Sequence, residues 1–148
     1  MTSRCYLVSC VSVKQAAPSR AKDLYLSDWF KKARLYVEHS GCPWFILSAE
    51  HGLVDPESVV APYEKTLNHM GVRERREWAA KVVGQMGNVL PQTDSIVVLA
   101  GARYREFLMD YLGSRTRQVL VPLEGLRIGE QLSWLGSHTP EQKSIEPH

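Results

Sequence analysis

Cysteine is scarce in this sequence, and what there is does not pair. Cys5, Cys10 and Cys42 are three in number and form no C-x-x-C, so neither a disulfide framework nor zinc spacing is present and no metal site is expected. That usage fits a reducing, cytoplasmic interior. No apolar run approaches the ~20 residues of a membrane helix, so no membrane partner is expected. The apolar stretch in residues 1–13 is short, contains Arg4 and leads into Lys14, which marks a first strand rather than a signal peptide. G-x-x-x-x-G-K and G-x-G-x-x-G are both missing, and with them the main support for ordinary nucleoside-triphosphate or dinucleotide sites; no cofactor is expected. Neither sign of charge is in excess: 18 Lys and Arg against 16 Asp and Glu give +2, which by itself does not announce a nucleic-acid binder. Repeats and low-complexity segments are absent.

What the chain does have is 148 residues, 44% of them hydrophobic, enough for one domain over residues 1–136 that buries roughly 70% of its unfolded surface. Residues 137–148 are almost without apolar side chains and read as a frayed tail. Short, uninterrupted apolar runs predict strands at Cys5–Val8, Trp44–Ser48, Ser95–Ala100 and Gln118–Pro122, each covered on both faces. Between them, three- and four-residue apolar spacing predicts helices from Ser27 to about Gly41, Val72 to Met86 closed by Gly87 and Pro91, Ala102 to Leu112, and Ile128 to Leu135,. Strands alternating with amphipathic helices need crossover connections. The expected fold is therefore α/β, a single-domain three-layer Rossmann-like sandwich with a mostly parallel sheet of about four strands.

In such a sheet every strand ends at one rim, where ligands bind. The second strand runs into Ser48-Ala49-Glu50-His51-Gly52 and then Asp55-Pro56, which reads as a long polar loop that brings acid, base and anion together. Glu50, His51 and Asp55 are the candidate catalytic groups: a loop carboxylate beside an apolar strand is partly desolvated, and histidine titrates near neutrality. The plain alternatives are a turn-capping His51 and an Asp55 that starts a turn. Ser9, Cys10, Ser12 and Lys14 leave the first strand, Gly101, Arg103 and Tyr104 the third, and Glu124 and Arg127 the fourth. Ser9, Cys10, Ser12, Lys14, Ser48, Tyr63, Gly101, Arg103 and Tyr104 are the candidate substrate contacts, with Gly101 before a helix suiting an anion and Tyr63 suiting a stacked base. Cys10 reads equally as a small buried hydrophobe, and Arg73, Arg75 and Arg76 as a solvated helix face.

The strand-one LVSC followed by Lys14, DLYLSDWFKKARLYVE, WFILSAEHGLVDP, APYEKTL and VPLEGLRIGEQLSWL together resemble an uncharacterised family of small bacterial, archaeal and phage proteins, over nearly all of residues 6–135. That family looks similar to uracil-DNA glycosylases, although the glycosylase motifs G-Q-D-P-Y and H-P-S-P are not in this chain. The resemblance implies hydrolysis of an N-glycosidic bond in DNA or a nucleotide without a metal. Such cleavage builds positive charge on the sugar and negative charge on the departing base. Glu50 or Asp55 would then serve the sugar and His51 or Lys14 the base, with Tyr63 or Tyr104 stacking on a flipped base. The alternative is a non-catalytic nucleotide- or nucleic-acid-binding module of a defence or DNA-modification system. A thiol transferase using Cys10 and His51 lacks any feature that would activate Cys10.

Overall fold

The structure, a computed structural model, describes residues 3–9 and 14–140. In chain order its elements are β1 (Arg4–Ser9), β2 (Ser19–Arg20), α1 (Ala21–Leu24), α2 (Asp28–Ser40), β3 (Trp44–Ser48), β4 (Gly52–Val54) and β5 (Val59–Val60), followed by a 3₁₀ turn at Leu67–His69, α3 (Val72–Val89), β6 (Ser95–Leu99), α4 (Ala102–Arg105), α5 (Met109–Arg115), β7 (Gln118–Leu120) and α6 (Ile128–His138). Five strands form the main sheet in the order β4-β3-β1-β6-β7. Pairs β1–β3, β1–β6 and β6–β7 are parallel, and β3–β4 is antiparallel. The fold is α/β with a mostly parallel sheet, one strand larger than expected.

Alternation along the central strands splits the core between two faces. Cys5, Leu7, Phe45, Leu47, Ile96 and Val98 pack with Trp78, Val82 and Met86 of α3 and with Tyr104, Leu108 and Leu112. Tyr6, Val8, Ile46, Val97 and Leu99 pack with Leu24, Phe30, Ala33 and Val37 of α1 and α2 and with Leu135 of α6. Because both faces are covered, the parallel strands read as unbroken apolar runs.

The helix ends follow local chemistry, with corrections. Ser27 caps α2 by accepting from Phe30 N at 3.1 Å, and Gly41 closes it at φ 73°,. Helix α3 runs through Gly87 to Val89 and stops at Leu90, because the following Pro91 disfavours helical dihedrals at the residue before it. The single helix expected over Ala102–Leu112 is two pieces, joined by a tight turn in which Leu108 N donates to Arg105 O at 2.9 Å. That turn sets Glu106 against Arg75, 2.7 Å apart, and Phe107 under Arg76, 4.3 Å from the ring centroid. Arg75 is therefore not on a solvated face; it is buried and also donates to Met70 O at 2.6 Å.

Helix α6 continues past Gly136 to His138, whose ring stacks on Trp134 at 3.9 Å; residues 141–148 of the expected tail lie outside the described residues. Helix α1 and the small ribbon β2–β5 fall where sequence reading gave only loop.

The largest departure concerns the long polar loop after β3. It is a three-residue turn, and the chain then runs back beside β3 with Ser48 opposite Gly52 and Ile46 opposite Val54. Gly52 makes this possible at φ 77°, a backbone state that side chains with a Cβ rarely adopt,.

Candidate functional site

The carboxyl ends of β1, β3, β6 and β7 do share one rim, since these strands are parallel through their pairing. Ser48, at the end of β3 and fully buried, is the hub. Its hydroxyl accepts from His51 N at 3.0 Å and donates to the Tyr63 hydroxyl at 2.9 Å. Tyr63 in turn shares a hydrogen bond of 2.9 Å with the hydroxyl of Tyr25. The Lys14 ammonium stands 4.4 Å from the Tyr63 ring centroid and 5.8 Å from that of Tyr25, near enough for cation–π attraction. The His51 ring meets Tyr63 edge to face at 5.4 Å, and its Nε2 is buried with no hydrogen-bond partner among the described residues. Lys14, the Ser48–His51 stretch and Tyr63, from three separate parts of the sequence, are thus brought together.

Helix α3 holds the turn that carries His51. Trp78 Nε1 donates to Ser48 O (2.9 Å), Lys81 Nζ to Glu50 O (3.1 Å) and Gln85 Nε2 to His51 O (3.1 Å), while Leu53 N donates to Gln85 Oε1 (2.7 Å). Positions 78, 81 and 85 lie on one helix face. These three residues escaped sequence reading, because nothing local marks a helix side chain as a partner for a distant turn.

The cleft beside this assembly has a volume of about 720 Å³, within the size range of small-molecule sites. Lys14, Gln15 and Ala16 form one wall, and Pro62 to Thr66 with Asn68 and His69 the other. Of the expected residues, Lys14 and Tyr63 line it. Glu64, Lys65, Asn68 and His69 were missed, although the polar run after Pro62 is their signal. Glu50 lies outside this cleft; its carboxylate is 3.5 Å from Lys65 Nζ, and it lines a smaller cavity of about 250 Å³ with Lys65, Trp78 and Lys81.

Residues 5–137 match the model of DUF6884, a family of unknown function. The chain belongs to this family. A relative, uncharacterized protein YfjM of Bacillus subtilis (strain 168), is 28% identical over 138 residues, which cover 88% of this chain and 87% of the relative. No solved structure matches. Neither the family description nor the relative's name supports the likeness to uracil-DNA glycosylases.

For this member of DUF6884, the other expected site residues are placed as follows. Asp55 does not join Glu50 and His51. The β4 register carries it about three residues, roughly 10 Å, back down the sheet,, and its Oδ1 accepts from Glu57 N at 2.8 Å in a turn. Ser9 is buried at the end of β1, and Cys10 and Ser12 lie outside the described residues. Tyr104 is buried against Trp78, with its hydroxyl 3.4 Å from Thr66 Oγ1 and from Leu67 N, so it supports the 66–67 segment rather than presenting a face for stacking.

Gly101 precedes a helix of only four residues, which lacks the aligned dipole that an anion site would use. Arg103 is exposed. Its neighbour Arg105 links two strand exits, donating to Ala100 O at 2.9 Å and meeting Glu124 at 3.2 Å. Arg127 opens α6, where its backbone N donates to Glu130 at 2.8 Å. Burial pushes the Cys5 thiol up to about 12, so Cys5 holds its proton at neutral pH and is no nucleophile. Among the described residues, no three His, Cys, Asp or Glu side chains group as metal ligands would, and no helix is long and apolar enough to cross a membrane.

Proposed function

We propose that the protein takes a nucleotide unit, free or within DNA, into the cleft between Lys14–Ala16 and Pro62–His69 and hydrolyses its N-glycosidic bond. The observation that carries the reading is the Lys14 ammonium over the Tyr63 ring at the edge of that cleft. A cation beside an aromatic face suits a base and its phosphate, and it stabilises the negative charge that builds on a departing base. The carboxylate that lines the cleft is Glu64, which takes the part the sequence suggests for Glu50. Glu50 then acts through Lys65, and His51 steadies Tyr63. Asp55 has no part in it. The scaffold for this chemistry is a Rossmann-like three-layer sandwich, and the setting is cytoplasmic on the grounds of cysteine usage.

Two observations favour a second reading, a non-catalytic nucleotide- or nucleic-acid-binding module of a defence or DNA-modification system. His51 does not line the cleft, and Glu50 faces Lys65 at 3.5 Å outside it.

Incubation of the purified protein with unmodified, uracil-containing and modified-base DNA, and with nucleotides, separates the two. Free base or abasic sites, lost in Glu64→Gln and Lys14→Ala, support hydrolysis. Binding without any product supports the module. Product release undiminished in both variants removes the cleft from the chemistry.

A further inference from the structure

A second cleft, about 510 Å³ in volume, adjoins the first, and Gln15 lines both. Four cations, Arg20, Lys22, Lys31 and Arg34, stand in its wall against the single acid Asp23. Two of them are committed: Lys22 contacts Glu57 at 2.5 Å, and Arg34 meets Asp23 at 2.8 Å and Glu38 at 3.0 Å. Arg20 is held loosely, 3.5 Å from Glu57 with both side chains 60% exposed, and such a pair yields readily to a phosphate. Lys31 is exposed on α2 and forms no ion pair among the described residues.

We infer that the two clefts form one track for a single strand of nucleic acid, with a base in the first and the adjoining phosphates across Arg20 and Lys31 in the second. The inference rests on the nucleotide reading of the first cleft and narrows it to a polymer. Each cleft alone has the volume of a small-molecule site, so a mononucleotide fills one and leaves the other empty, whereas a strand occupies both. The cationic wall suits repeated phosphates, which dominate nucleic-acid affinity. The divider is already ordered: Gln15 N donates to Leu24 O at 2.8 Å and Gln15 Nε2 to Asp23 O at 2.6 Å, so binding does not have to order it.

The test is fluorescence anisotropy with a labelled, mixed-sequence single-stranded DNA of 12 nucleotides and with a labelled mononucleotide, each between 50 and 200 mM NaCl. The 12-mer is expected to bind more tightly than the mononucleotide and to weaken with salt. In Arg20→Ala/Lys31→Ala the slope of log affinity against log salt becomes shallower by about 1.4, roughly 0.7 per phosphate contact, which means wild type loses about sevenfold more affinity over that range. Circular dichroism melts confirm that the variant is folded. An unchanged slope in the variant, or a mononucleotide bound as tightly as the 12-mer, overturns the track while leaving the first cleft intact. If neither probe binds, the nucleotide reading falls with it.

Discussion

Replacing Gly52 by alanine tests how the turn that carries His51 is built. The residue sits at φ 77°, where a Cβ costs about 1–2 kcal/mol. The new Cβ would also run into Gln85 Oε1. That atom ends a flexible side chain, so it can move, but moving it breaks the bond from Leu53 N and loosens the one from Gln85 Nε2 to His51 O. Two such bonds contribute about 1 kcal/mol each. Gly52→Ala should therefore destabilise by about 3–4 kcal/mol, a fall in Tm of roughly 6–16 °C for a chain of this size. Urea unfolding followed by circular dichroism reads the change at constant m. In a Gln85→Ala background, where the clash and both bonds are already gone, the same substitution should cost only its backbone share, about 1–2 kcal/mol. Additive effects of the two changes, or a Gly52→Ala protein within 1 kcal/mol of wild type, would refute this account of the turn.

Tyr63→Phe keeps the ring but deletes the hydroxyl between Ser48 and Tyr25, and should lower stability by about 1–2 kcal/mol in the same unfolding assay; no loss would mean the hydroxyl chain is incidental. Alkali should weaken the fold. Burial raises the Cys5 thiol from 9.0 to about 12 and the Tyr36 phenol from 10.0 to about 12. A raised folded value gives stability that is complete below the unfolded value and disappears as pH climbs through the folded one. Cys5 alone then accounts for a decline of about 2 kcal/mol between pH 8 and 10.5, and a urea midpoint that stays flat over that interval would contradict it.

Read by itself, the sequence determined the strands Trp44–Ser48 and Ser95–Leu99 nearly to the residue, the capped helix α2 and the parallel direction of four strands. Apolar runs, caps and crossover spacing are local signals, and they survive folding because burial on both sheet faces rewards them. Glycine 52 shows the limit. As a letter it marks a loop, and only the contact with α3 turns that loop into a hairpin and separates Asp55 from Glu50 and His51. The same holds for Lys14, Ser48, Tyr25 and Tyr63, which span fifty residues of chain yet meet within hydrogen-bond or cation–π distance. Long-range geometry of this kind follows from strand order and register, which no periodicity encodes. The residue types available at the rim were therefore settled by sequence, and the tertiary fold decided which of them meet and that only Lys14 and Tyr63 of those expected line the cleft.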